Sequence, residues 1–483
     1  MNLNNFLINK KDPIYKQTIK LKTYIDRKVK EKNFRIFICH ISKLFEIPEG
    51  IIEYDVKKYL SQLHDFKKGK FVKIFKFYNV FFSSIIYLST IIFIYLFSKK
   101  KNLPKEKVEI IFDEIMTLEQ RQRILKLAQK FKSFKTISDN KLDGSKNNFT
   151  FFKYIGSNKI LFNKRCLNLF IYNFILLHKL SLSEKTNLFP FITMLVKRIF
   201  KYETIFSYIS GNYLFQERPY TTSAIKNFLF KKHGGSKSCC TQRILFHLGS
   251  TSYYINTDIL FSLGRKSHSG LRLTGSKIGK IIPAGSYVYF SKWLKTKKRK
   301  TQKFDIIYLS GNNLPSFSLD DKYIQNYYKS LNWLKQFNYE FPFYKIAVKH
   351  HENNYFHDRK ELDILETSSI ERIAGPTKPG EKNYSYGYAI NSKVRLTWCS
   401  TMGYELLGHN YKCYFLDPNH ENIGFLHDEK YNKKFRIKCY HDFKKIILSD
   451  LNNKKIKSII NPYDFCLESQ NVLKIIYKNL KKI

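Results

Sequence analysis

The stretch LTWCSTMGYELLGHNYKCYFLDP, from Leu396 to Pro418, decides the predicted fold. A short apolar run ends at Ser400 and Thr401, a helical pattern begins at once, and a second apolar run ends at Asp417. Strand, helix and strand in this order form the repeating unit of a parallel sheet. The turn before the helix presents backbone N–H groups and two hydroxyls, which together suit a phosphate or pyrophosphate.

The same residues also admit a purely structural interpretation. Ser400 or Thr401 could simply cap the helix, and Glu405 in its first turn could simply complement the helix dipole. Alternatively, Glu405 could accept hydrogen bonds from ligand hydroxyls such as those of a ribose. The spacing alone does not decide between these interpretations.

Alternating strand and helix patterns extend on both sides of this stretch. Strands are predicted at 108–112, 135–138, 238–241, 304–310, 344–350, 393–399 and 411–417. Helices are predicted at 117–131, across 161–208, and at 224–232, 323–337, 369–373 and 464–483. This alternation predicts an α/β protein with two Rossmann-like parallel sheets.

With 483 residues the chain is long enough for more than one domain. The patterns predict a basic N-terminal region (1–104), a first Rossmann-like domain (105–290), a second one (303–450) and a C-terminal helix (451–483). The lysine-rich segment 291–302 separates the two domains and is a plausible hinge.

The formal net charge of +46 favours a polyanionic partner, either a nucleic acid or an anionic membrane surface. The lysines are spread along the whole chain, and no zinc finger, RNA-binding signature or base-reading helix is present. General compositional bias could also account for part of the charge. We therefore expect an anionic membrane surface as a partner, and no nucleic acid.

One apolar segment supports this expectation. Phe77 to Phe97 contains no charged residue and is about as long as a membrane span, and lysines precede and follow it. Lysine on both sides leaves the orientation open. The segment could span a bilayer, lie at its interface, or form a buried helix. No secretory signal peptide is evident at the N-terminus.

The metal-binding residue types show no metal-site pattern. The eight cysteines include no C-x-x-C pair, which favours free thiols in a reducing cytoplasm. No isolated Asp-x-Asp of the kind that holds Mg²⁺ with a nucleotide is present. We expect neither a metal nor a cofactor.

The pattern strand-S-T-x-G-x-E-helix, followed by a strand ending in Asp-Pro, resembles the donor half of GT-B glycosyltransferases. It is most similar to bacterial surface-carbohydrate and capsule enzymes, including polysialyltransferases and CDP-glycerol glycerophosphotransferases. A second match is the strand end KHHE, where Lys349 and His351 take the places of a Lys-x-His-Pro motif and Glu352 replaces the proline.

A third match lies near the end of the first predicted domain. In YINTDILFSLG, Asp258 and Gly264 match a strand motif of these enzymes, and the AGS at 284–286 matches a following Gly-Ser. The three matches occur in the family's order between residues 217 and 417. Each motif is short, and the ordered set is more specific than any one of them.

The chain departs from the family at the first-domain motif Gln-His-Gly. His233 and Gly234 supply a literal His-Gly at the end of a helix. In the preferred register, Gln242 follows the strand, Arg243 replaces the histidine, and His247 comes one helical turn later. This departure leaves the catalytic base open.

The resemblance implies two Rossmann-like domains facing a cleft, and transfer of a sugar or alditol phosphate from a nucleotide-activated donor to a glycan or lipid-linked acceptor. The donor-binding residues it implies are Lys349, His351, Ser400, Thr401, Gly403 and Glu405. The catalytic residues it implies are His247, Gln242, Arg243 and His351. The acceptor-side residues are Glu217 and Asp258.

The expected location is the cytoplasmic face of a bacterial inner membrane, either peripherally or through a single anchoring segment. Two alternatives come from other functional classes. The first is a non-catalytic protein of polysaccharide assembly with the same fold, and the second is a basic nucleic-acid-binding protein.

Overall fold

The computed structural model of the chain describes most of both predicted domains. The described residues are 13–67, 77–97, 105–113, 118–137, 148–149, 164–183, 187–243, 254–265, 267–268, 271, 275–287, 303–310, 321–350, 358–375, 385–398, 400–420, 434–452, 464–467 and 471–481.

A seven-stranded sheet forms the first domain. Its strands are β1 (Glu106–Asp113), β2 (Phe134–Ile137), β3 (Asn148–Phe149), β4 (Ile209–Gln216), β5 (Lys237–Thr241), β6 (Asn256–Ser262) and β7 (Lys277–Pro283). All neighbouring strands are parallel, in the order β3-β2-β1-β4-β5-β6-β7. The strand order reverses between β1 and β4, which is the Rossmann pattern.

A six-stranded sheet forms the second domain. Its strands are β8 (Ile306–Leu309), β9 (Ile346–Lys349), β10 (Glu371–Ile373), β11 (Val394–Thr397), β12 (Cys413–Leu416) and β13 (Arg436–Ile437). They are also all parallel, in the order β10-β9-β8-β11-β12-β13, with the reversal between β8 and β11. The prediction of two Rossmann-like sheets is confirmed. Every strand lies within the predicted ranges 105–290 and 303–450.

Helices connect and cover these strands. Before and between the strands of the first sheet they are α1 (Pro13–Lys28), α2 (Lys32–Phe45), α3 (Glu49–Lys67), α4 (Phe77–Phe97), α5 (Leu118–Ala128), α6 (Lys164–Ser183), α7 (Phe189–Tyr208) and α8 (Ala224–Lys232). The later helices are α9 (Asp321–Glu340), α10 (Arg359–Leu365), α11 (Ser385–Asn391), α12 (Thr401–Gly408), α13 (Tyr440–Asn452) and α14 (Val472–Lys481).

Some predicted elements differ from those of the structure. The segment 369–373, predicted as a helix, contains the edge strand β10, in which Ile373 pairs with Lys349 of β9. The stretch 161–208 holds two helices instead of one, and Pro190 lies in the first turn of the second, where its missing N–H is tolerated.

The N-terminal helices do not form a separate unit. Side chains of α2, α3 and α4 share one apolar core with α6, α7, β1 and β4, as Phe37, Tyr87, Phe206 and Ile111 illustrate. The predicted boundary at residue 104 is therefore not a boundary of the core. The first sheet and the N-terminal helices are built as one body.

The C-terminal helix α14 packs against the first sheet, although it follows the second sheet in the chain. Val472 and Ile476 are buried with Phe112 and Phe131 in one core cluster. The packing of α14 on the first sheet couples the two domains. Within the described part of the chain, no helix combines the length and hydropathy needed to cross a membrane.

Candidate functional site

The carboxyl edges of the two sheets face each other. After β7 the chain turns at Gly285, whose φ of +96° favours glycine, and the next residue, Ser286, donates a hydrogen bond of 2.5 Å to Glu405 of α12. Later in the chain, the N–H of Leu467 donates to the carbonyl of Leu263 at 2.8 Å, immediately after β6. Ligands of doubly wound sheets bind at such carboxyl edges, where the strand order reverses.

At the reversal in the second sheet, β11 leads directly into α12. The Thr397 hydroxyl donates to the carbonyl of Leu309 at 2.9 Å and so joins the ends of β11 and β8. Ser400 is the N-cap of α12, since its hydroxyl accepts from the N–H of Met402 at 3.2 Å. Ser400 therefore caps the helix, as the structural interpretation of this residue predicted. Ser400 and Thr401 are both only partly buried.

Gly403 has a packing role in the first turn of α12. A Cβ atom at this position would lie 2.7 Å from the Phe415 ring and 3.0 Å from the Thr397 methyl group. The glycine therefore lets α12 pack closely against β11 and β12, which places the helix N-terminus at the sheet edge.

Glu405 is buried and connects the two domains. One carboxylate oxygen accepts from Ser286 of the first domain, and the other accepts from the Tyr386 hydroxyl at 2.5 Å. The prediction that Glu405 contacts a ribose stays untested. A ligand hydroxyl would have to replace one of these two donors.

Lys349 is also buried, and its ammonium group contacts backbone carbonyls. It donates to the carbonyl of Ala374 at 2.5 Å. β8 lies between β9, which ends at Lys349, and β11, so this lysine is about 10 Å from the turn at Ser400 in the direction across the strands. The predicted partner His351 lies outside the described residues. A phosphate contact of Lys349 would require a change in this arrangement.

His350, which the sequence analysis did not single out, is the buried histidine at the end of β9. Its Nε2 lies 2.6 Å from Glu361 of α10, which also accepts hydrogen bonds from Arg372 and Tyr327. Burial opposes ionisation of Glu361, but the hydrogen bonds from these partners outweigh it and lower the pKa of the carboxyl. This cluster ties β9, β10, α9 and α10 together.

At the reversal in the first sheet, a buried ion pair occupies the end of β1. Asp113 accepts a hydrogen bond from the Lys226 ammonium at 2.7 Å and from the Tyr202 hydroxyl at 2.9 Å. The side chains of Asp113 and Lys226 are fully buried. The sequence analysis missed this pair, because its members are 113 positions apart in the chain.

Glu217, predicted on the acceptor side, follows β4 at the same edge. Arg123 of α5 donates to its Oε1 from two nitrogens, at 2.9 and 2.6 Å, and both side chains are buried. The second oxygen, Oε2, is buried and has no hydrogen-bond partner among the described residues. Glu217 thus combines a fixed orientation with an unused acceptor atom.

Gln242, predicted as catalytic, is buried after β5 and holds the segment that follows β6. Its amide nitrogen donates to the Ser267 carbonyl at 3.0 Å, and its oxygen accepts from the N–H of Leu263 at 3.0 Å and the Ser267 hydroxyl at 2.8 Å. These contacts indicate a positioning role. Arg243 follows it and is partly exposed, and His247 lies outside the described residues.

Asp258, predicted on the acceptor side, lies away from the carboxyl edge of the first sheet. It is the third residue of β6, counted from the amino end. Its carboxylate accepts from the N–H of Ser238 at 2.8 Å and pairs with Lys231 at 2.6 Å. These contacts fasten the amino-terminal part of β5 to that of β6, which explains the aspartate without an acceptor.

Among the described residues, no three His, Cys, Asp or Glu side chains come together as a metal-binding group. The groups available to a ligand at the carboxyl edges are hydroxyls, the α12 N-terminus and the carboxylates of Glu217 and Glu405. This set suits hydrogen bonding to phosphates and sugar hydroxyls.

Comparison with known proteins yields likenesses among solved structures only. No protein-family model and no curated protein matches the sequence. The Staphylococcus aureus MnaA–UDP co-structure matches with 10% identity and a TM-score of 0.47, covering 77% of this chain and 96% of that one. The UDP-GlcNAc 2-epimerase of Neisseria meningitidis bound to UDP-GlcNAc has 14% identity, a TM-score of 0.42 and coverages of 78% and 100%. Acinetobacter baumannii MurG has 7% identity, a TM-score of 0.36 and the same coverages.

Proposed function

We propose that the chain is a transferase that moves a sugar or an alditol phosphate from a nucleotide-activated donor to a surface-glycan acceptor. The observation that carries the proposal is the position of the α12 N-terminus. It follows β11 directly at the reversal of the second sheet, and it faces the edge of the first sheet through the contact between Ser286 and Glu405. This is where doubly wound sheets bind nucleotides.

In the proposed donor complex, the diphosphate lies at the first turn of α12. The positive end of the helix and the Thr401 hydroxyl stabilise its charge, and Ser400 keeps the turn in shape through its cap. Glu405 accepts a ribose hydroxyl in exchange for one of its present donors. Developing negative charge on the departing phosphate is stabilised by the same preorganised groups.

The proposed acceptor side is the opposite edge, at the end of β4. Oε2 of Glu217 is the unused acceptor atom there, and Arg123 fixes the orientation of the carboxylate. In the proposed complex, a hydroxyl of the acceptor donates to Oε2 of Glu217. Arg243 lies after the neighbouring strand β5 and can contribute positive charge toward an anionic acceptor.

Calorimetric titration with UDP- and CDP-activated sugars and CDP-glycerol tests the donor site. Thr401→Val keeps the side-chain shape but removes the hydroxyl, and we expect about tenfold weaker donor binding because a hydrogen bond to a charged group is lost. The matched control is Ser223→Ala, which removes the N-cap hydroxyl of α8 in the other domain and should leave donor affinity unchanged. Unchanged affinity in both Thr401→Val and Ser400→Ala would disprove the proposed donor site.

A second candidate is a non-catalytic protein of glycan assembly that binds the same donors. It is favoured by the hydrogen bonds of the Gln242 amide within the protein and by the contact of Lys349 with backbone carbonyls. Incubation of the chain with each donor that binds, together with glycan acceptors, separates the two. Binding without release of the nucleotide would identify the non-catalytic protein.

A further inference from the structure

Helix α4 has one buried side and one apolar side that is open to solvent. Its buried side chains, Val80, Tyr87, Ile91 and Ile94, belong to the core of the first domain. The opposite side, which we name the apolar face, consists of the six α4 side chains that are more than 40% exposed: Phe81, Phe82, Ile85, Ile86, Ile92 and Phe93. At 100° per residue these six lie within an arc of roughly 140°. The exposure is therefore organised along one side of the helix.

Two serines of α4 form hydrogen bonds within the protein. The Ser84 hydroxyl donates to the Phe81 carbonyl at 2.7 Å. The Asn187 amide donates to the Asn79 carbonyl at 3.1 Å and to the Ser83 hydroxyl at 2.9 Å. These contacts leave the aromatic and aliphatic side chains to dominate the apolar face.

An apolar groove of about 330 Å³ extends the apolar face toward α7. It is lined by Ser83, Ile86, Pro190, Thr193, Met194 and Lys197. Lys197 is exposed and brings an ammonium group to an otherwise uncharged lining. A groove of this kind suits a molecule with an apolar chain and a negatively charged head.

The sequence around α4 is exclusively basic. Between Asp65 and Glu106 the chain contains nine lysines and no acidic residue, and Lys76 immediately precedes the helix. An apolar helix with lysine-only flanks is complementary to a phospholipid surface that carries negative charge, which attracts each nearby lysine. A soluble partner protein that covered the apolar face would not by itself explain why all the flanking charges are positive.

The groove lies beyond the carboxyl edge of the first sheet, which is also the edge at which the candidate site lies. Helix α7 runs directly into β4, so its C-terminus is at the amino edge of the sheet. Already at Tyr202, six residues before its end, α7 reaches Asp113 at the carboxyl edge. Pro190 and Met194, which line the groove, are further toward the N-terminus and hence beyond that edge.

We propose that the apolar face lies on an anionic phospholipid bilayer, with α4 parallel to the membrane plane. The orientation follows from the length of the face, because Phe81 and Phe93 are 12 residues or about 18 Å apart along the helix axis. Aromatic and aliphatic side chains enter the boundary between headgroups and acyl chains, and the flanking lysines contact the headgroups. This inference does not depend on the proposed transferase activity.

Flotation of the full chain with lipid vesicles tests the inference. We expect binding to vesicles of phosphatidylcholine with phosphatidylglycerol, weaker binding to phosphatidylcholine alone, and weakening by about 0.5 M salt, which shortens the Debye length to about 4 Å. The double variant Phe82→Ser, Ile86→Ser should bind at least about tenfold more weakly, because two apolar side chains no longer enter the bilayer.

The matched control is Tyr339→Ser, Phe343→Ser, which removes two exposed aromatic side chains of the second domain. It should bind vesicles as the wild type does, and circular dichroism should show both double variants folded. Absence of flotation, or equal flotation of the α4 variant and the wild type, would overturn the inference. A dimer that the α4 variant dissociates, without vesicle binding, would assign the apolar face to a second copy of the chain. Vesicle binding needs no nucleotide donor, so its failure is distinguishable from failure of the proposed activity.

Discussion

The two sheets share one strand order, but their reversal points carry different chemistry. In the first sheet, the end of β1 is closed by the buried pair of Asp113 and Lys226, and the end of β4 by Glu217 with Arg123. In the second sheet, the strand at the reversal leads into a helix N-terminus with partly exposed hydroxyls. With the same topology, the first sheet thus has buried structural ion pairs at its reversal point, and the second sheet has an open polar turn.

This difference favours the second sheet as the place of the proposed nucleotide donor. A phosphate at the first edge would have to compete with Asp113 and Glu217 for Lys226 and Arg123, whose positive charges these carboxylates already neutralise. A phosphate at α12 would meet the positive end of a helix dipole. The first edge is therefore better suited to a hydroxyl-bearing acceptor than to a nucleotide.

The largest effect is expected from breaking the buried pair of the first sheet. Lys226→Met leaves Asp113 buried without its cation, and we expect a loss of about 3–5 kcal/mol in the free energy of unfolding. The control is Lys231→Met on the same helix α8, which removes an exposed pair with Asp258 and should cost at most about 1 kcal/mol. Denaturant titration measures both.

A partial rescue would sharpen this result. Asp113→Asn in the Lys226→Met background removes the uncompensated charge and should recover part of the lost stability. Equal stability of Lys226→Met and Lys231→Met would mean that the pair is not structural. The contrast between the two edges would then fail.

The second expected effect tests how closely α12 must approach its sheet. Gly403→Ala places a methyl group 2.7 Å from the Phe415 ring, so we expect a loss of about 1–3 kcal/mol and weaker donor binding as the helix shifts. The control is Gly50→Ala in α3, where nothing lies within 4 Å of the added Cβ and stability should rise slightly. Unfolding and donor titration of both variants check this. A Gly403→Ala protein with unchanged affinity would separate the helix position from ligand binding.

The sequence predicts much of this architecture because local patterns determine it. The alternation of apolar runs with helical patterns predicted β1, β5, β8, β9, β11 and β12 to within a few residues. The central strand β4 was missed because ISGNYLFQ contains Gly211 and Asn212, which are typical of a turn. In the sheet, Gly211 relieves crowding, because a Cβ there would lie 3.1 Å from the Ile111 side chain.

The contacts that define the site were less predictable, since they join distant parts of the chain. Ser286 and Glu405 were each singled out from short motifs, but their contact across 119 positions depends on how the two domains meet. Likewise, the motif match at the end of β9 singled out Lys349 and His351. It could not predict that Lys349 would contact the backbone at Ala374, or that His350 would pair with Glu361.

The smallest effect concerns the charged cluster of the second sheet, which lies at β9 and β10, away from the reversal. Despite its burial, Glu361 has a lowered pKa because His350, Tyr327 and Arg372 hydrogen-bond to it. A carboxyl with a lowered pKa in the folded state stabilises the protein above its unfolded pKa, and this contribution is lost as the pH falls through the folded value.

We therefore expect the free energy of unfolding of the wild type to fall more steeply below about pH 4.5 than that of Glu361→Gln. Denaturant titrations between about pH 6 and pH 3 measure the two slopes. Parallel slopes would mean that this cluster carries no ionised carboxylate.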